Sequence, residues 1–250
     1  MAIVRDRMTT SPLTTDPDLP LAAVADRLQE HRVSALPVVD GGKLVGVVST
    51  TDIVRALARG ASLGTCVRLL MTPIAIVAAP TDALDDAARR MVAARVHRLV
   101  VTEGDHVVGI LSAQDVLREV AQRRAPEPMR TVMSSPALTI ELGESVEEAI
   151  QRLASASVHG LVVVDGQWPI GVFTDREALA ARSLPLRARP VEDVMSYETI
   201  CLDVETPIHR AARHGVAMNV RRFLAVEHRD LVGIVSSLDL VGVLARVPPP

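Results

Sequence analysis

Apolar residues recur in this chain with the spacing of an amphipathic helix at four places. Leu21, Val24, Ala25 and Leu28 lie at positions i, i+3, i+4 and i+7, so their side chains share one face of a helix. The same spacing returns in Leu84, Ala87, Ala88 and Met91, in Val146, Ala149, Ile150 and Leu153, and in Ile208, Ala211 and Ala212. We predict four amphipathic helices, each packing one face against a core.

Each of these helices is followed by two short apolar runs with the length of β-strands. In the first copy the runs are Leu36–Val39 and Leu44–Val48, and a tight turn at Asp40-Gly41-Gly42 joins them, with glycine supplying the positive φ. The runs are almost continuously apolar, which indicates sheets that are covered on both faces. A second helix is predicted after every hairpin, over residues 51–59, 114–123, 176–181 and 238–246.

The end of each hairpin repeats at a fixed period. The stretch Gly46–Val54 has the same pattern as 109–117, 171–179 and 233–241: a glycine, two apolar residues, a hydroxyl residue and, three positions later, an acid. The acids are separated by 63, 62 and 62 residues: Asp52, Asp115, Glu177 and Asp239. Four methionines recur with the same separations: Met8, Met71, Met133 and Met195. A short strand is predicted after each methionine, for example over 74–77 and 137–140. A fixed period means that one β-α-β-β-α unit is used four times.

The repeats set the expected domain organisation. We place repeat 1 at residues 1–60, repeat 2 at 65–124, repeat 3 at 127–183 and repeat 4 at 189–247. The segments between them are 60–64, 123–128 and 183–187, and the middle one, with two prolines, is the best module boundary. A unit of about 60 residues buries so little surface that it is only marginally stable alone, so we expect the repeats to pair.

Composition narrows the class of protein. Apolar residues make up 48% of the 250 residues, aromatic residues only 2%, and the net charge is −3, which argues against binding nucleic acid through bulk charge. The two cysteines, Cys66 and Cys201, lack the spacing of a disulfide framework or a metal site. No apolar run approaches about 20 residues, and the N-terminus lacks the apolar segment of a secretion signal. We expect a soluble cytoplasmic protein without a membrane partner.

The four-fold β-α-β-β-α unit and its closing motif resemble the CBS domain family over nearly the whole chain. The resemblance implies an α/β (α+β) fold in which CBS repeats pair into two Bateman modules. The gamma subunit of AMP-activated protein kinase, where four repeats form a disc-like pseudo-dimer, is the architectural analogue. Family members bind adenine nucleotides, S-adenosylmethionine or related adenosyl ligands in clefts between paired repeats, and regulate an effector.

The resemblance also implies a binding site for the ribose of such a ligand. The ribose-binding acid of the family corresponds to Asp52, Asp115 and Asp239, since a carboxylate can accept from both ribose hydroxyls. Hydroxyls near the ribose or phosphate correspond to Ser49, Ser112, Ser236 and Ser34. Phosphate-binding residues correspond to His97, Arg98, Arg221 and Arg222, of which Arg221 replaces the histidine of the family. In the disc of the family these would converge near the centre.

A purely structural interpretation of the motif stays open. A serine three residues before an aspartate is also the capping box of a helix, and one residue can serve both purposes. Repeat 3 departs from the family, because Glu177 replaces the aspartate and His159 is followed by Gly160 in place of the arginine. We therefore expect a weak or altered site at Thr174, Glu177 and His159. No nucleophile–base set, carboxylate pair or metal-ligand cluster stands out, and His209 and His214 are poorly spaced to share a metal.

These observations favour a non-enzymatic sensor. It would bind AMP, ADP or ATP as a regulatory ligand, use no catalytic cofactor or metal, and signal to an unknown effector protein in trans, either as a monomeric disc or as a homodimer. The alternatives are a protein-interaction scaffold that binds no nucleotide, and a sensor of S-adenosylmethionine or a dinucleotide. A nucleotide hydrolase and a nucleic-acid-binding protein are less favoured.

Overall fold

The amphipathic stripes and the second helix of each repeat form α-helices. In the computed structural model, which describes residues 2–73, 76–184 and 189–246, the eight helices are Leu21–Glu30 (α1), Thr50–Ala58 (α2), Leu84–Ala94 (α3), Ala113–Arg123 (α4), Val146–Ser155 (α5), Asp175–Ala180 (α6), Ile208–Met218 (α7) and Ser237–Arg246 (α8). Each second helix begins one residue earlier than the sequence predicts, because the motif hydroxyl is the cap and the next residue is already helical.

The apolar runs form hairpins that belong to four small sheets. The strands are Thr9–Thr10 (β1), Ala35–Asp40 (β2), Lys43–Ser49 (β3), Thr72–Pro73 (β4), Val77–Ala78 (β5), Arg98–Glu103 (β6), His106–Ser112 (β7), Thr139–Glu141 (β8), Gly160–Asp165 (β9), Trp168–Thr174 (β10), Ile200–Asp203 (β11), Arg222–Glu227 (β12) and Asp230–Ser236 (β13). The sheet orders are β2-β3-β4, β1-β7-β6-β5, β10-β9-β8 and β11-β12-β13. Every repeat therefore has one antiparallel hairpin, as the sequence predicts.

The hairpin turns need backbone with positive φ, and three of the four obtain it from glycine. Gly41 and Gly42 have φ of 55° and 83°, and Gly104 and Gly166 have φ of 60° and 59°. Repeat 4 has no glycine at this place, and His228 and Arg229 adopt φ of 51° and 81° instead. This conformation is unfavourable for residues with a Cβ. Repeat 4 therefore forms the same turn as the other repeats although it lacks the favoured glycine.

The chain divides into two compact units that each contain two repeats. The described residues of Met1–Ser11, Ile76–Ala137 and Glu198–Pro250 form unit 1, and those of Pro12–Ala75 and Leu138–Tyr197 form unit 2. Unit 1 thus holds the helices and hairpins of repeats 2 and 4, and unit 2 holds those of repeats 1 and 3. The division does not fall at 123–128, where we expected the module boundary, because helices of alternate repeats share a core.

Each unit has its own apolar core. In unit 1 the buried side chains come from α3 and α4 and from α7 and α8, for example Leu84, Met91, Leu117, Ile208 and Leu240. In unit 2 they come from α1, α2, α5 and α6, for example Leu21, Leu28, Ile53, Leu153 and Leu179. The predicted helical stripes therefore face these cores, and the small number of aromatic residues is compensated by Val, Leu, Ile, Ala and Met.

The segment that opens each repeat packs on the hairpin of its neighbour in sequence. We call these four stretches the lead segments, residues 4–10, 67–73, 129–135 and 191–197. The first pairs with β7 of repeat 2, where Thr9 lies opposite Ile110, and the second pairs with β3 of repeat 1, where Thr72 lies opposite Val47. The third and fourth form bridges with β13 of repeat 4 and β10 of repeat 3. Repeats 1 and 2 thus exchange lead segments, and so do repeats 3 and 4.

The recurring glycine and methionine of the motif meet at these exchanges. A Cβ on Gly46 would lie 2.7 Å from the carbonyl oxygen of Thr72 and 3.0 Å from Sδ of Met71. The same approach occurs at Gly109 with Met8, at Gly233 with Met133 and at Gly171 with Met195. Glycine is required because the neighbouring lead segment occupies the space of a side chain.

A few sequence predictions differ from the structure or fall outside it. The strand predicted over 137–140 is found at Thr139–Glu141. Trp168 begins β10, and 64% of its surface is exposed. Ile74 and Ala75 of the strand predicted over 74–77 lie outside the described residues, as do residues 185–187 of the third linker and residue 247 at the end of repeat 4.

Candidate functional site

The motif hydroxyl and acid form a capping box at the start of the second helix of each repeat. In repeat 1, Oδ2 of Asp52 accepts from the backbone N–H and the hydroxyl of Ser49, at 2.8 and 2.6 Å, and the N–H of Asp52 donates to Oγ of Ser49 at 3.3 Å. Ser112 with Asp115 and Ser236 with Asp239 repeat this geometry within 0.1 Å. The structural role that the sequence left open is therefore present.

The capping role occupies only one oxygen of each carboxylate. Within the described residues, Oδ1 of Asp52, Asp115 and Asp239 takes no hydrogen bond. An ionised carboxylate has about four lone-pair sites, so each of these groups retains acceptor capacity. Helix capping and acceptance from a ligand hydroxyl are thus compatible at the same side chain.

Two of the three aspartates are held in surroundings that disfavour their charge. Burial raises the pKa of Asp52 and of Asp239 above the ordinary value, although the hydrogen bonds from Ser49 and Ser236 oppose this shift. The positive charge of Arg222 also opposes the rise in the pKa of Asp239. Arg55 does the same at Asp52, where the nearby carboxylate of Asp175 adds to the rise. A hydroxyl donor arriving at either carboxylate would stabilise its ionised form.

Repeat 3 has a variant of the same cap. The backbone N–H of Thr174 donates to Oε2 of Glu177 at 3.0 Å, and the hydroxyl of Thr174 donates to the same oxygen. Oγ1 of Thr174 accepts from the N–H of Arg176 at 3.2 Å, in addition to the reciprocal capping-box contact with Glu177. The longer glutamate therefore reaches the cap by a different local geometry, and a weak or altered site in this repeat stays a prediction.

Unit 1 brings the four predicted phosphate-binding residues to the starts of two helices. Arg98 lies directly opposite Ser112 in the hairpin, and Arg222 lies directly opposite Ser236. The carbonyl oxygen of His97 accepts from the N–H of Ala113 at 2.9 Å, and that of Arg221 accepts from the N–H of Ser237 at 3.0 Å. The backbone of each basic residue therefore lies next to the N-terminus of α4 or α8, where the helix dipole also favours anions.

Unit 2 has no basic pair at the corresponding positions. Ala35 lies opposite Ser49 and Gly160 lies opposite Thr174. The carbonyl oxygen of Ser34 accepts from the N–H of Thr50 at 3.0 Å and from its hydroxyl at 2.9 Å, and the proposed contact of the Ser34 hydroxyl with a ligand stays a prediction. The described parts of the two units therefore differ in charge at equivalent places.

The structure reveals contacts between helix starts that the sequence did not single out. In unit 2, the hydroxyl of Thr51 donates to Oδ2 of the buried Asp175 at 2.6 Å, and Nδ1 of His159 lies 3.0 Å from the same oxygen. In unit 1, the hydroxyl of Ser237 donates to Oε1 of Gln114 at 2.8 Å. The positions of Thr51, Asp175, Gln114 and Ser237 vary between repeats, so the periodic pattern carried no signal for these four residues.

The remaining candidates do not form a second site. Among the described residues, no group of three or more His, Cys, Asp or Glu side chains is placed to hold a metal ion. Nδ1 of His209 lies 2.7 Å from the carbonyl oxygen of Ala125, and Cys66 and Cys201 are exposed free thiols. None of the helices within 2–73, 76–184 and 189–246 has both the length and the apolar character needed to cross a bilayer.

Two solved structures share the fold over nearly the whole chain. Protein MJ1225 of Methanocaldococcus jannaschii, described as a candidate archaeal homologue of g-AMPK, superposes with a TM-score of 0.86 at 16% sequence identity, covering 98% of this chain and 100% of that one. A conserved protein from Pyrococcus horikoshii gives a TM-score of 0.69 at 23% identity, covering 97% and 100%. At these identities the likeness shows the fold, which is the four-repeat architecture expected from the sequence.

Relatives found by sequence lead to the same family. The CBS domain-containing protein YhcV of Bacillus subtilis is 32% identical over 117 residues, which cover 46% of this chain and 84% of YhcV. Protein MJ1404 of Methanocaldococcus jannaschii is 24% identical over 263 residues; the match covers 97% of this chain but only 62% of MJ1404.

The family model of the CBS domain matches the chain four times, at residues 4–59, 67–122, 129–184 and 191–246. Each match contains one lead segment, one hairpin and one capping box of the kind described above. The four matches together span nearly all of the residues that the structure describes. The chain therefore belongs to the CBS domain family and carries four copies of its domain.

Proposed function

We propose that this protein is a non-enzymatic regulatory sensor that binds an adenosine ligand and signals to an effector protein in trans. The observation that carries the proposal is the paired arrangement in unit 1. There, Asp115 and Asp239 each keep a carboxylate oxygen for a ribose, and each capping serine faces an arginine across the hairpin. Ribose hydroxyls need an acceptor and a phosphate needs cations or helix N-termini, and both occur together here.

The charge difference between the units supports a preference for phosphorylated ligands in unit 1. His97, Arg98, Arg221 and Arg222 all belong to this unit, whereas unit 2 has Ser34, Ala35, His159 and Gly160 at the same positions. Asp175 and Asp52 also place two carboxylates near each other in unit 2. A phosphate would meet repulsion there, so we assign AMP, ADP or ATP to unit 1 and at most a weakly bound or phosphate-free adenosine ligand to unit 2.

Thermal unfolding with a panel of ligands tests the proposal. AMP, ADP, ATP, adenosine and S-adenosylmethionine are each added at about 100 times their Kd, where a ligand that binds only the folded state contributes about 2.7 kcal/mol. For a chain of this size the expected rise in Tm is roughly 5–10 °C. The rise should be largest for a phosphorylated ligand and should be lost in Asp115→Asn combined with Asp239→Asn.

Matched variants separate binding from general charge effects. Asp230→Asn removes an exposed negative charge from the hairpin of repeat 4 without touching the cap, and its ligand-induced rise should equal that of the wild type. Asp52→Asn removes the equivalent aspartate of unit 2 and should leave most of the response to a phosphorylated ligand. If Asp52→Asn alone abolished the response, the assignment to unit 1 would be wrong.

The affinity should also depend on pH through the buried carboxylate. Ribose hydroxyls bind the ionised form, and burial raises the pKa of Asp239 in the free protein. The affinity is therefore highest at pH values above that raised pKa, and it falls as the pH decreases through it. Isothermal titration of AMP over this acidic range should show the loss, and Asp239→Asn should remove the contribution of its site.

A scaffold that binds protein partners and no nucleotide remains the second candidate, because the capping boxes have a complete structural explanation without a ligand. The absence of a thermal shift with every ligand of the panel would support it. A turnover assay with ATP on the same preparation tests the less favoured hydrolase, and formation of ADP would contradict the non-enzymatic assignment.

A further inference from the structure

A side-chain hydrogen bond joins the helix starts of the two repeats in unit 1. Gln114 immediately precedes the candidate ribose-binding Asp115, and Ser237 immediately follows Ser236, the cap that bonds Asp239. The hydroxyl of Ser237 donates to Oε1 of Gln114 at 2.8 Å. This hydrogen bond therefore connects the two capping boxes of unit 1, in addition to the apolar packing of α4 and α8 in the shared core.

Both partners of this contact are fixed by further bonds. Nε2 of Gln114 donates to the carbonyl oxygen of Gly215 at 2.8 Å, near the end of α7. Ser237 is 4% exposed, and its N–H donates to the carbonyl oxygen of Arg221 at 3.0 Å. Gln114 therefore cannot turn away without losing a buried hydrogen bond. The hydroxyl of Ser237 has one alternative acceptor, the carbonyl oxygen of Arg221, at the longer distance of 3.4 Å.

Unit 2 contains the same contact built from different residues. Thr51 immediately precedes Asp52 and Asp175 immediately follows the cap Thr174, so both occupy the positions of Gln114 and Ser237. Their hydrogen bond measures 2.6 Å. In both units, the second residue after the cap of one repeat is hydrogen-bonded to the first residue after the cap of the other repeat. Because the contact is kept with different side chains, we infer that it is a general feature of how two repeats pack.

We propose that the Gln114–Ser237 bond couples the ligand sites at Asp115 and Asp239, with both residues acting as positioning residues. This inference rests on the proposed function. A ribose that binds Asp115 engages the carboxylate that also caps α4, and the first turn of α4 carries Gln114. Any adjustment of that turn changes the hydrogen bond to Ser237 and thus the adjacent cap of Asp239. Such coupling is reciprocal, because each site changes the affinity of the other by the same factor.

Calorimetric titration with AMP measures the coupling directly. The two stepwise binding constants of unit 1 should differ by about 5-fold or more from the ratio expected for independent sites. In Gln114→Leu and in Ser237→Ala the ratio should return to that of independent sites, while the mean affinity changes little, because neither residue is assigned a contact with ligand. Independent sites in the wild type, or an unchanged ratio in both variants, would overturn the proposal.

The control variant is Gln122→Leu, which makes the same chemical change at an exposed position of the same helix. It should keep the coupling of the wild type. If Gln122→Leu abolished the coupling as well, the effect would belong to α4 in general and not to the bond with Ser237, and the proposal would be contradicted.

A second measurement needs no ligand and distinguishes failure of this inference from failure of the proposed function. The effects of Asp115→Asn and Asp239→Asn on the unfolding equilibrium constant should be non-additive by more than about threefold, and should become additive in the Gln114→Leu background. If AMP does not bind but this cycle behaves as expected, the proposed ligand is wrong and the connection between the sites holds. If the two effects are additive in the wild type, the connection itself is refuted.

Discussion

A buried hydroxyl in repeat 1 has no hydrogen-bond partner. Oγ1 of Thr15 is one of two buried side-chain polar atoms in the described chain without a partner, and Thr15 is only 3% exposed. Its backbone pairs with Pro37 and Val39 of β2, which holds the residue at this buried position. Ala78 and Ile140 hold the corresponding positions of repeats 2 and 3, and both are buried. An apolar residue therefore suits this position better than threonine.

Thr15→Val should stabilise the protein. Valine has the shape of threonine without the hydroxyl, so the cost of an unsatisfied buried donor, about 1 kcal/mol or more, is removed. Thermal unfolding should show a rise in Tm of roughly 2–4 °C. Thr15→Ser, which keeps the hydroxyl and loses the methyl group, should lower Tm, and a less stable valine variant would mean that the hydroxyl finds a partner.

At the level of single elements, the contact between lead segment and hairpin depends on glycine. A Cβ at position 233 would lie 2.7 Å from the carbonyl oxygen of Ser134 and 3.0 Å from Sδ of Met133. The methionine can move, but the carbonyl belongs to backbone that pairs with Ile234 through two hydrogen bonds. Gly233 is therefore required by the exchange of lead segments and not by its own backbone conformation.

Gly233→Ala should destabilise the protein by about 1–3 kcal/mol, the usual cost of forcing extra atoms into a packed site. The matched control is Gly242→Ala in α8, where a Cβ would meet nothing within 4 Å. That change should stabilise by about 0.5–1 kcal/mol because alanine favours a helix. Urea unfolding of both variants checks the difference, and equal effects would contradict the assigned role of Gly233.

Sequence periodicity predicted the elements but could not predict their exchange. The methionine and the glycine both recur with separations of 63, 62 and 62 residues. A methionine packed on the glycine of its own repeat and one packed on the glycine of the next repeat produce the same period. Similarly, the Ser-x-x-Asp pattern predicted the helix starts, whereas Gln114, Ser237, Thr51 and Asp175 differ between repeats and carried no periodic signal.

On the scale of the whole molecule, each core combines repeats that are distant in sequence. Core residues of unit 1 come from repeats 2 and 4, and those of unit 2 from repeats 1 and 3. All helical stripes have the same apolar character, so the sequence predicted that repeats pair but not which ones. The expectation of a boundary at 123–128 relied on proline content, which marks the end of a regular element and does not report which helices share a core.

A fragment of residues 1–124 should associate with itself. It contains repeats 1 and 2 with their exchanged lead segments, but it has only half of each core, so the apolar faces of α2 and α4 lose their cover. A second copy can replace repeats 3 and 4, because these have the same helical pattern. Sedimentation velocity should show a dimer at micromolar concentration, and a folded monomer would show that two repeats suffice.

The interleaved connectivity also sets the order in which the two cores can be completed during synthesis. Residues 12–75 and 138–197 supply all of unit 2, whereas unit 1 still needs α7 and α8 from residues 208–246. On the ribosome, unit 2 can therefore close its core while α3 and α4 of unit 1 still expose theirs to water. During this interval the nascent chain carries an uncovered apolar surface on an otherwise folded body, the kind of surface that chaperones bind and that aggregation starts from.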